Sequence, residues 1–419
     1  MTGRASAADA FARAACLDYE TWRPESLAEA RRLLAEDPEL TREGVWAASA
    51  AGDAAALGEM LSRDPALANE RGGPHGWEPL LYACYSRFER EACDSRFEAP
   101  ALSFSTLDAA RRLLAGGADP NAGFLSHGEV PPFTALTGAF GDGEGANTQP
   151  SHPRPDELAR LLLDAGADPN DGQALYNRHF RPDDAHLELL LAYGLGTDRG
   201  GPWYARFGDR LDGPRRLLVE ELWSAARKGY FARVRLLVEH GADVNTPGKR
   251  DGRTPWQAAA LADNREIAEY LLGHGAQRAV LSPADELEAA CVGGRREDAL
   301  ALLAREPGLR DRLGFHGRVR LLNRAVELRR LDGVRLMAEL GFELSRPTRH
   351  DGVGINLAAT PLHNAAWIGD LAMVRLLLEL GADPSARDPS YRATPLGWAE
   401  YNRQTEVAAY LRGREGQER

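Results

Sequence analysis

Two short stretches decide how this chain folds: Thr360-Pro-Leu-His-Asn-Ala365 and, ten residues further on, Arg375-Leu-Leu-Leu-Glu-Leu-Gly-Ala-Asp-Pro384. The second recurs as Arg111-Arg-Leu-Leu-Ala-Gly-Gly-Ala-Asp-Pro120, Arg160-Leu-Leu-Leu-Asp-Ala-Gly-Ala-Asp-Pro169 and Arg235-Leu-Leu-Val-Glu-His-Gly-Ala-Asp-Val244. The first recurs as Thr254-Pro-Trp-Gln-Ala-Ala259, Thr394-Pro-Leu-Gly-Trp-Ala399 and Glu78-Pro-Leu-Leu-Tyr-Ala83. Self-similarity at a fixed period is the mark of a stacked array. Gly241 to Gly275 is 34 residues and Gly275 to Gly341 is 66, twice 33. Gly166 to Gly194 is a short 28, while Gly117 to Gly166 (49) and Gly194 to Gly241 (47) each exceed one period by about half.

Both stretches carry helix punctuation. Proline in the first turn forfeits no hydrogen bond and presets φ, so Thr-Pro starts a helix. Glycine after the leucine run accepts the left-handed conformation that ends one. Between these signals Leu371, Val374, Leu377 and Leu378 follow helical spacing. Small pairs such as Ala365–Ala366 and Ala225–Ala226 let neighbouring helices approach closely. One unit cannot bury its apolar face alone, so stability comes from stacking. Three units close differently, with proline in place of the Gly-Ala turn, at Pro38, Pro65 and Pro307.

The paired motifs resemble the ankyrin-repeat family, in which T-P-L-H-x-A opens a first helix and L-L-x-x-G-A-D-x-N closes a second. The resemblance implies an all-α solenoid, here of about nine or ten helix-turn-helix units. Residues 1–40 are expected to form a degenerate N-terminal cap, 41–390 the repeats, and 391–419 a capping repeat with a polar tail. One continuous arc is the expected architecture.

Composition narrows the function. With 43% apolar and 27% charged residues the chain is an ordinary folded protein, and a net charge of −11 argues against chain-wide nucleic-acid binding. The N-terminus lacks a signal-peptide apolar core, and no stretch is long and apolar enough to span a membrane. Cys16, Cys84, Cys93 and Cys291 are scattered without a C-x-x-C pair, so a reducing cytoplasm is the expected setting. Lys228 and Lys249 are the only lysines, a bias associated with a GC-rich bacterial genome.

Departures from the repeat are where function is sought. Inserts fall between paired helices near 87–105 and 141–155, and between units near 122–132, 197–214 and 346–359. The first two read either as tolerated surface loops or as a joint lid. The Gly-rich 197–214 finger carries Trp203, Tyr204, Arg206 and Phe207, which serve either as interface anchors or as a cover folded back over a gap. In the fourth unit, counting back from Gly194 puts Arg178 and His179 where other units have the small pair, with Asp171, Asp183 and Asp184 as expected partners.

No phosphate-binding loop, dinucleotide fingerprint, H-E-x-x-H or G-x-S-x-G motif is present. No metal site and no cofactor are expected. The family resemblance implies that the two positions after the small pair face a groove: Tyr85 and Ser86, Phe180 and Arg181, Arg227 and Lys228, Leu261 and Ala262, Glu327 and Leu328, Trp367 and Ile368, Tyr401 and Asn402. Arg178, Arg181, Arg227 and Lys228 would then make a basic patch suited to an acidic peptide or small anion. The expected function is a monomeric, non-enzymatic binding protein holding a protein or peptide partner. Regulator, adaptor and toxin-neutralising roles all fit. The rivals are a small-molecule binder or enzyme using Tyr176, Arg178 and His179, and a purely structural spacer.

Overall fold

The computed structural model describes residues 6–88, 104–197, 201–347 and 359–415. It separates into two compact units, Met1–Leu218 and Val219–Arg419. Each is an all-α stack of helix pairs. In the first unit the leading helices Ala7–Ala15, Val45–Ala51, Pro79–Tyr85, Ala135–Phe140 and Gly172–Arg178 pack one on the next. Their partners Ala54–Arg63, Thr106–Ala115, Pro155–Asp164 and Ala185–Ala192 form a second layer. The second unit repeats the scheme, from Pro255–Leu261 through Pro283–Val292, Gly314–Glu327 and Pro361–Trp367 to Pro395–Tyr401.

The motifs act as their chemistry dictates. Thr254 and Thr360 cap their helices by accepting the amides of Gln257 and His363, and the Gln257 side chain accepts the Thr254 amide in return. Fully buried His363 lies 2.8 Å from Thr360 Oγ1 through Nδ1 and 3.0 Å from the Ala393 carbonyl of the next repeat through Nε2. At the other end Gly241 takes φ +82°, and the Ala242 amide donates back to the Leu237 carbonyl at 3.0 Å. This closure explains why alanine follows glycine: the small side chain turns inward and is buried. Where proline replaces the Gly-Ala turn, Asp37 and Asp64 stop one helix and cap a following 3-10 turn, accepting the amides of Glu39 and Ala66.

The last residue of G-A-D-x-N joins one repeat to the next. Asn121 donates to the Gly166 carbonyl at 3.1 Å and accepts the Asp168 amide at 2.8 Å. Asn245 does the same with Gly275 and Gln277, at 3.0 and 2.8 Å. Asn69 serves Gly117 and Asp119 likewise, and Ser345 keeps the accepting half toward the Asp383 amide.

Of the inserts, residues 89–103, 198–200 and 348–358 lie outside the described residues. The 122–132 finger is a small hairpin in which Gly123–Phe124 pairs antiparallel with Phe133–Thr134. The described part of the Gly-rich 197–214 finger contains the helix Pro202–Phe207.

Two stability tests follow from this packing. Asn245→Ala removes both bonds of a joint and is expected to lose roughly 1–2 kcal/mol in urea unfolding, with Asn245→Ser losing less because Ser345 shows that a hydroxyl keeps one of them. Leu377 is fully buried and Trp367 only half-buried. Leu377→Ala is therefore expected to cost roughly 2–5 kcal/mol and Trp367→Ala clearly less, read from the same unfolding curves.

Candidate binding surfaces

The helix Gly172–Arg178 corrects the sequence register. Asp171 is its N-cap, accepting the Ala174 amide at 2.9 Å, just as Thr360 caps Pro361–Trp367. Counted from that cap, Tyr176 and Asn177 take the places of Ala365 and Ala366, and Arg178 and His179 those of Trp367 and Ile368. The interval from cap to closing glycine is 23 residues here and 21 in the Thr360 repeat. The two extra residues lie in the turn, which is why counting back from Gly194 misplaced the pair. Tyr176 is too large for an alanine site and turns outward, 41% exposed. Asn177 is buried, accepting from Gln173 at 2.9 Å and donating to the Tyr19 hydroxyl at 3.0 Å.

Arg178 and His179 are half-buried and have partners. Arg178 pairs with Asp142 and Asp183, and Arg181 with Asp142 at 2.9 Å. Asp171, an expected partner, instead accepts from Thr134 and Thr137 while capping its helix. His179 meets Tyr176 edge to face, with ring centres 4.9 Å apart, and Tyr176 bonds Glu144. The insert 141–155 thus brings Asp142 and Glu144 onto this helix. Burial raises the Asp142 carboxyl above its ordinary range against the pull of the two arginines.

Two residues missed in the sequence fasten the same insert. Arg87, fully buried, donates to Pro150 O at 2.7 Å, Gly138 O at 2.9 Å, Ser86 O at 3.0 Å and Cys84 O at 3.1 Å. His152 is buried with Nε2 2.8 Å from Thr106 Oγ1, and its Nδ1 accepts the Arg154 amide. Burial holds that imidazole neutral, well below the ordinary histidine range. The available signal was a lone histidine and aspartate inside a Gly/Pro-rich stretch.

The 197–214 finger folds back. Trp203 donates to the Asn121 carbonyl at 2.9 Å and stacks on Phe207, with Arg206 lying 5.5 and 5.2 Å from the two ring centres. Tyr204 on the same helix is half-buried.

The expected groove residues divide sharply. Tyr85 is fully buried, its hydroxyl donating to Thr134 O at 2.8 Å among Trp77, Phe124 and Tyr19. Asn402 is buried too and donates to Trp367 O at 2.7 Å. Tyr85 is covered by the chain's own Tyr19 and by its fingers, and Asn402 turns back onto the repeat beside it. The second unit's cations are likewise engaged: Arg227 pairs with Glu327 at 2.9 Å, both largely shielded from solvent. Burial alone would raise the Glu327 carboxyl, but Arg227, Lys228 and Arg324 together bring it below its usual range. Burial pushes half-buried Lys228 down to about 7. Of the cations expected to make a basic patch, Arg178 and Arg181 are matched by carboxylates in the first unit and Arg227 in the second.

Trp367 and Tyr401 do reach the surface. Their rings stack with centres 6.1 Å apart and an interplanar angle of 21°, and Tyr401 is 51% exposed. Trp398 braces Trp367 edge to face, and the Asn402 and Gln404 side chains both hold the Trp367 carbonyl. Tyr391, in the finger between these repeats and unremarked in the sequence, is 75% exposed.

Among the described residues no group of three or more His, Cys, Asp or Glu side chains is arranged to hold a metal ion. No described helix is long and apolar enough to cross a membrane. No curated protein matches the chain. The family model for ankyrin repeats in many copies matches residues 222–272, and that for the single ankyrin repeat matches residues 359–389. With capped helix pairs, Gly-Ala closures and inter-repeat asparagines along both units, the chain is an ankyrin-repeat protein.

Proposed function

We propose that the protein is a non-enzymatic binding protein whose protein or peptide partner docks on the second unit, with Trp367 and Tyr401 as its anchors. Ankyrin repeats are generally protein–protein interaction modules. The observation that carries the finer reading is the stacked Trp367–Tyr401 pair on successive groove positions. A few residues carry most of the binding energy at protein interfaces, and Trp and Tyr are enriched among them. Here the Trp367 backbone is already fixed by two side-chain amides, so little order remains to be imposed on binding.

The cations are less suited to that task because the fold already uses them. Arg227 answers Glu327, and Lys228 stands where burial disfavours its charge. The Tyr176–Arg178–His179 grouping is read as a clasp for the 141–155 insert, since Arg178 is held by two carboxylates and Tyr176 by a third.

Affinity capture from native lysate with the full chain and with a Trp367→Ala/Tyr401→Ala double variant tests the proposal. The wild type should retain a partner that the double variant loses by about tenfold or more, with little change in melting temperature. Equal retention by the two would remove the aromatic pair from the interface.

Lys228 gives a pH test of its place in the fold. Its folded pKa, about 7, lies below the unfolded value, so the unfolded chain binds the extra proton between the two. Stability therefore rises with pH across that window, and the penalty is complete below about 7. Lys228→Met is expected to melt above wild type at pH 6, with the gap closing as pH approaches 10. A constant gap across that range would show that burial of the charge is not what Lys228 contributes.

A further inference from the structure

The loop joining Ala7–Ala15 to Ser26–Glu36 crosses positions of three other repeats in the first unit. Its first residues form an antiparallel bridge in which Leu17 donates to Tyr85 O and Arg87 to Ala15 O, both at 2.9 Å. Leu17 and Trp22 are buried and root the two sides, with Trp22 Nε1 donating to Ala14 O at 3.0 Å. Between them the tip Asp18–Thr21 is half-buried to exposed. Asp18 keeps the tip folded by accepting the amides of Glu20, Thr21 and Trp22.

The tip engages the repeats through side chains. Tyr19 lies against Phe133, ring centres 5.1 Å apart, and edge to face with Tyr85 at 6.3 Å. Its hydroxyl accepts from Asn177, and its ring lies beside Gly143 of the insert, 3.6 Å from where a Cβ there would stand. Glu20 places its carboxylate 3.2 Å from His127 Nε2 and accepts from Ser126 Oγ at 3.3 Å, both on the 122–132 finger. The leading helices Pro79–Tyr85 and Gly172–Arg178 and the hairpin finger between repeats thus converge on one residue and its neighbour. Tyr19 reaches them at φ +65°, a conformation that crowds the Cβ of any L-residue with a bulky side chain. A side chain held in place by a strained backbone, on surfaces contributed by three repeats, behaves as a ligand tethered to its own receptor.

We propose that Phe133, Tyr85, Asn177 and Gly143 form a tyrosine-accepting socket, with Asp18-Tyr19-Glu20 its resident stand-in for a turn-forming partner segment carrying a tyrosine followed by an acidic residue. The socket supplies an aromatic wall for the ring, an amide for the hydroxyl and an imidazole with a hydroxyl for the carboxylate. It lies in the first unit and is independent of the Trp367–Tyr401 pair.

Tyr19→Gly empties the socket and relieves the left-handed backbone, since glycine adopts positive φ freely. The probe is the synthetic hexapeptide Leu-Asp-Tyr-Glu-Thr-Trp, the sequence of residues 17–22, titrated into the full-length chain. A socket filled by a tethered occupant shows a weakened apparent affinity. The Tyr19→Gly chain should therefore bind the hexapeptide about tenfold or more tighter than wild type. The same peptide with alanine for tyrosine should not bind, and adding Asn177→Ala should weaken the gain. Tyr19→Phe, which keeps the ring and drops only the hydroxyl, should fall between wild type and Tyr19→Gly. Equal affinities for wild type and both variants would overturn the proposal, as would equal binding of the alanine peptide. Loss of cooperative unfolding in Tyr19→Gly, with no gain for Tyr19→Phe, would make Tyr19 a structural strut and overturn it too.

Discussion

The fold depends on a side-chain amide that stands between consecutive repeats. Helix pairs alone fix only local geometry, because each pair presents an apolar face that could slide along its neighbour. Asn69, Asn121 and Asn245 remove that freedom: each accepts an amide and donates to a carbonyl of the following repeat. The carbonyl belongs to the closing glycine, a group that a helix end leaves without an internal partner. One residue thus completes one repeat's helix terminus and sets the register of the next. A carboxylate could not donate and a lysine could not accept, which is why an amide occupies the position wherever both halves of the joint are kept.

With the joints fixed, the side chains that a family reading assigns to a groove are brought close enough to satisfy one another. Tyr85 is enclosed by aromatic rings from its own finger and the next, and Arg227 finds a carboxylate, Glu327, from a distant repeat. Desolvated charges need partners, and an internal carboxylate is always present at high local concentration. Among the groove positions described, Trp367 and Tyr401 keep part of their side chains at the surface while Tyr85 and Asn402 do not.

Much of this was legible in the sequence and some was not, for identifiable reasons. Thr360, His363, Gly241 and Ala242 act locally, within a turn of their own backbone, so their roles follow from spacing. The half-exposure of Trp367 and Tyr401 follows from the same spacing. Arg178 and His179 were misplaced because their turn is two residues longer than the model repeat, and a count from one end carries that excess into the helix. Asn402 carries no local mark distinguishing a groove residue from one that turns back onto Trp367. Arg87, Asp142, His152 and Tyr19 depend on contacts tens of residues away, and no periodicity encodes those.

The longer turn before Gly194 has a wider meaning. In the repeats opened by Asp171, Thr254 and Thr360 the first helix starts on its own cap and the second closes on its own glycine, Gly194, Gly275 or Gly381, so each end sets its own reading frame. Extra residues admitted between the paired helices change neither frame and leave the joints where they were. Lengthening such a connection carries an entropic cost that grows only with the logarithm of its length. The connection between paired helices is therefore a port at which the chain accepts new material without disturbing what lies on either side. The 141–155 segment shows the result: rich in glycine and proline, unlike the helices around it, yet riveted to them by Arg87, Arg178 and Thr106.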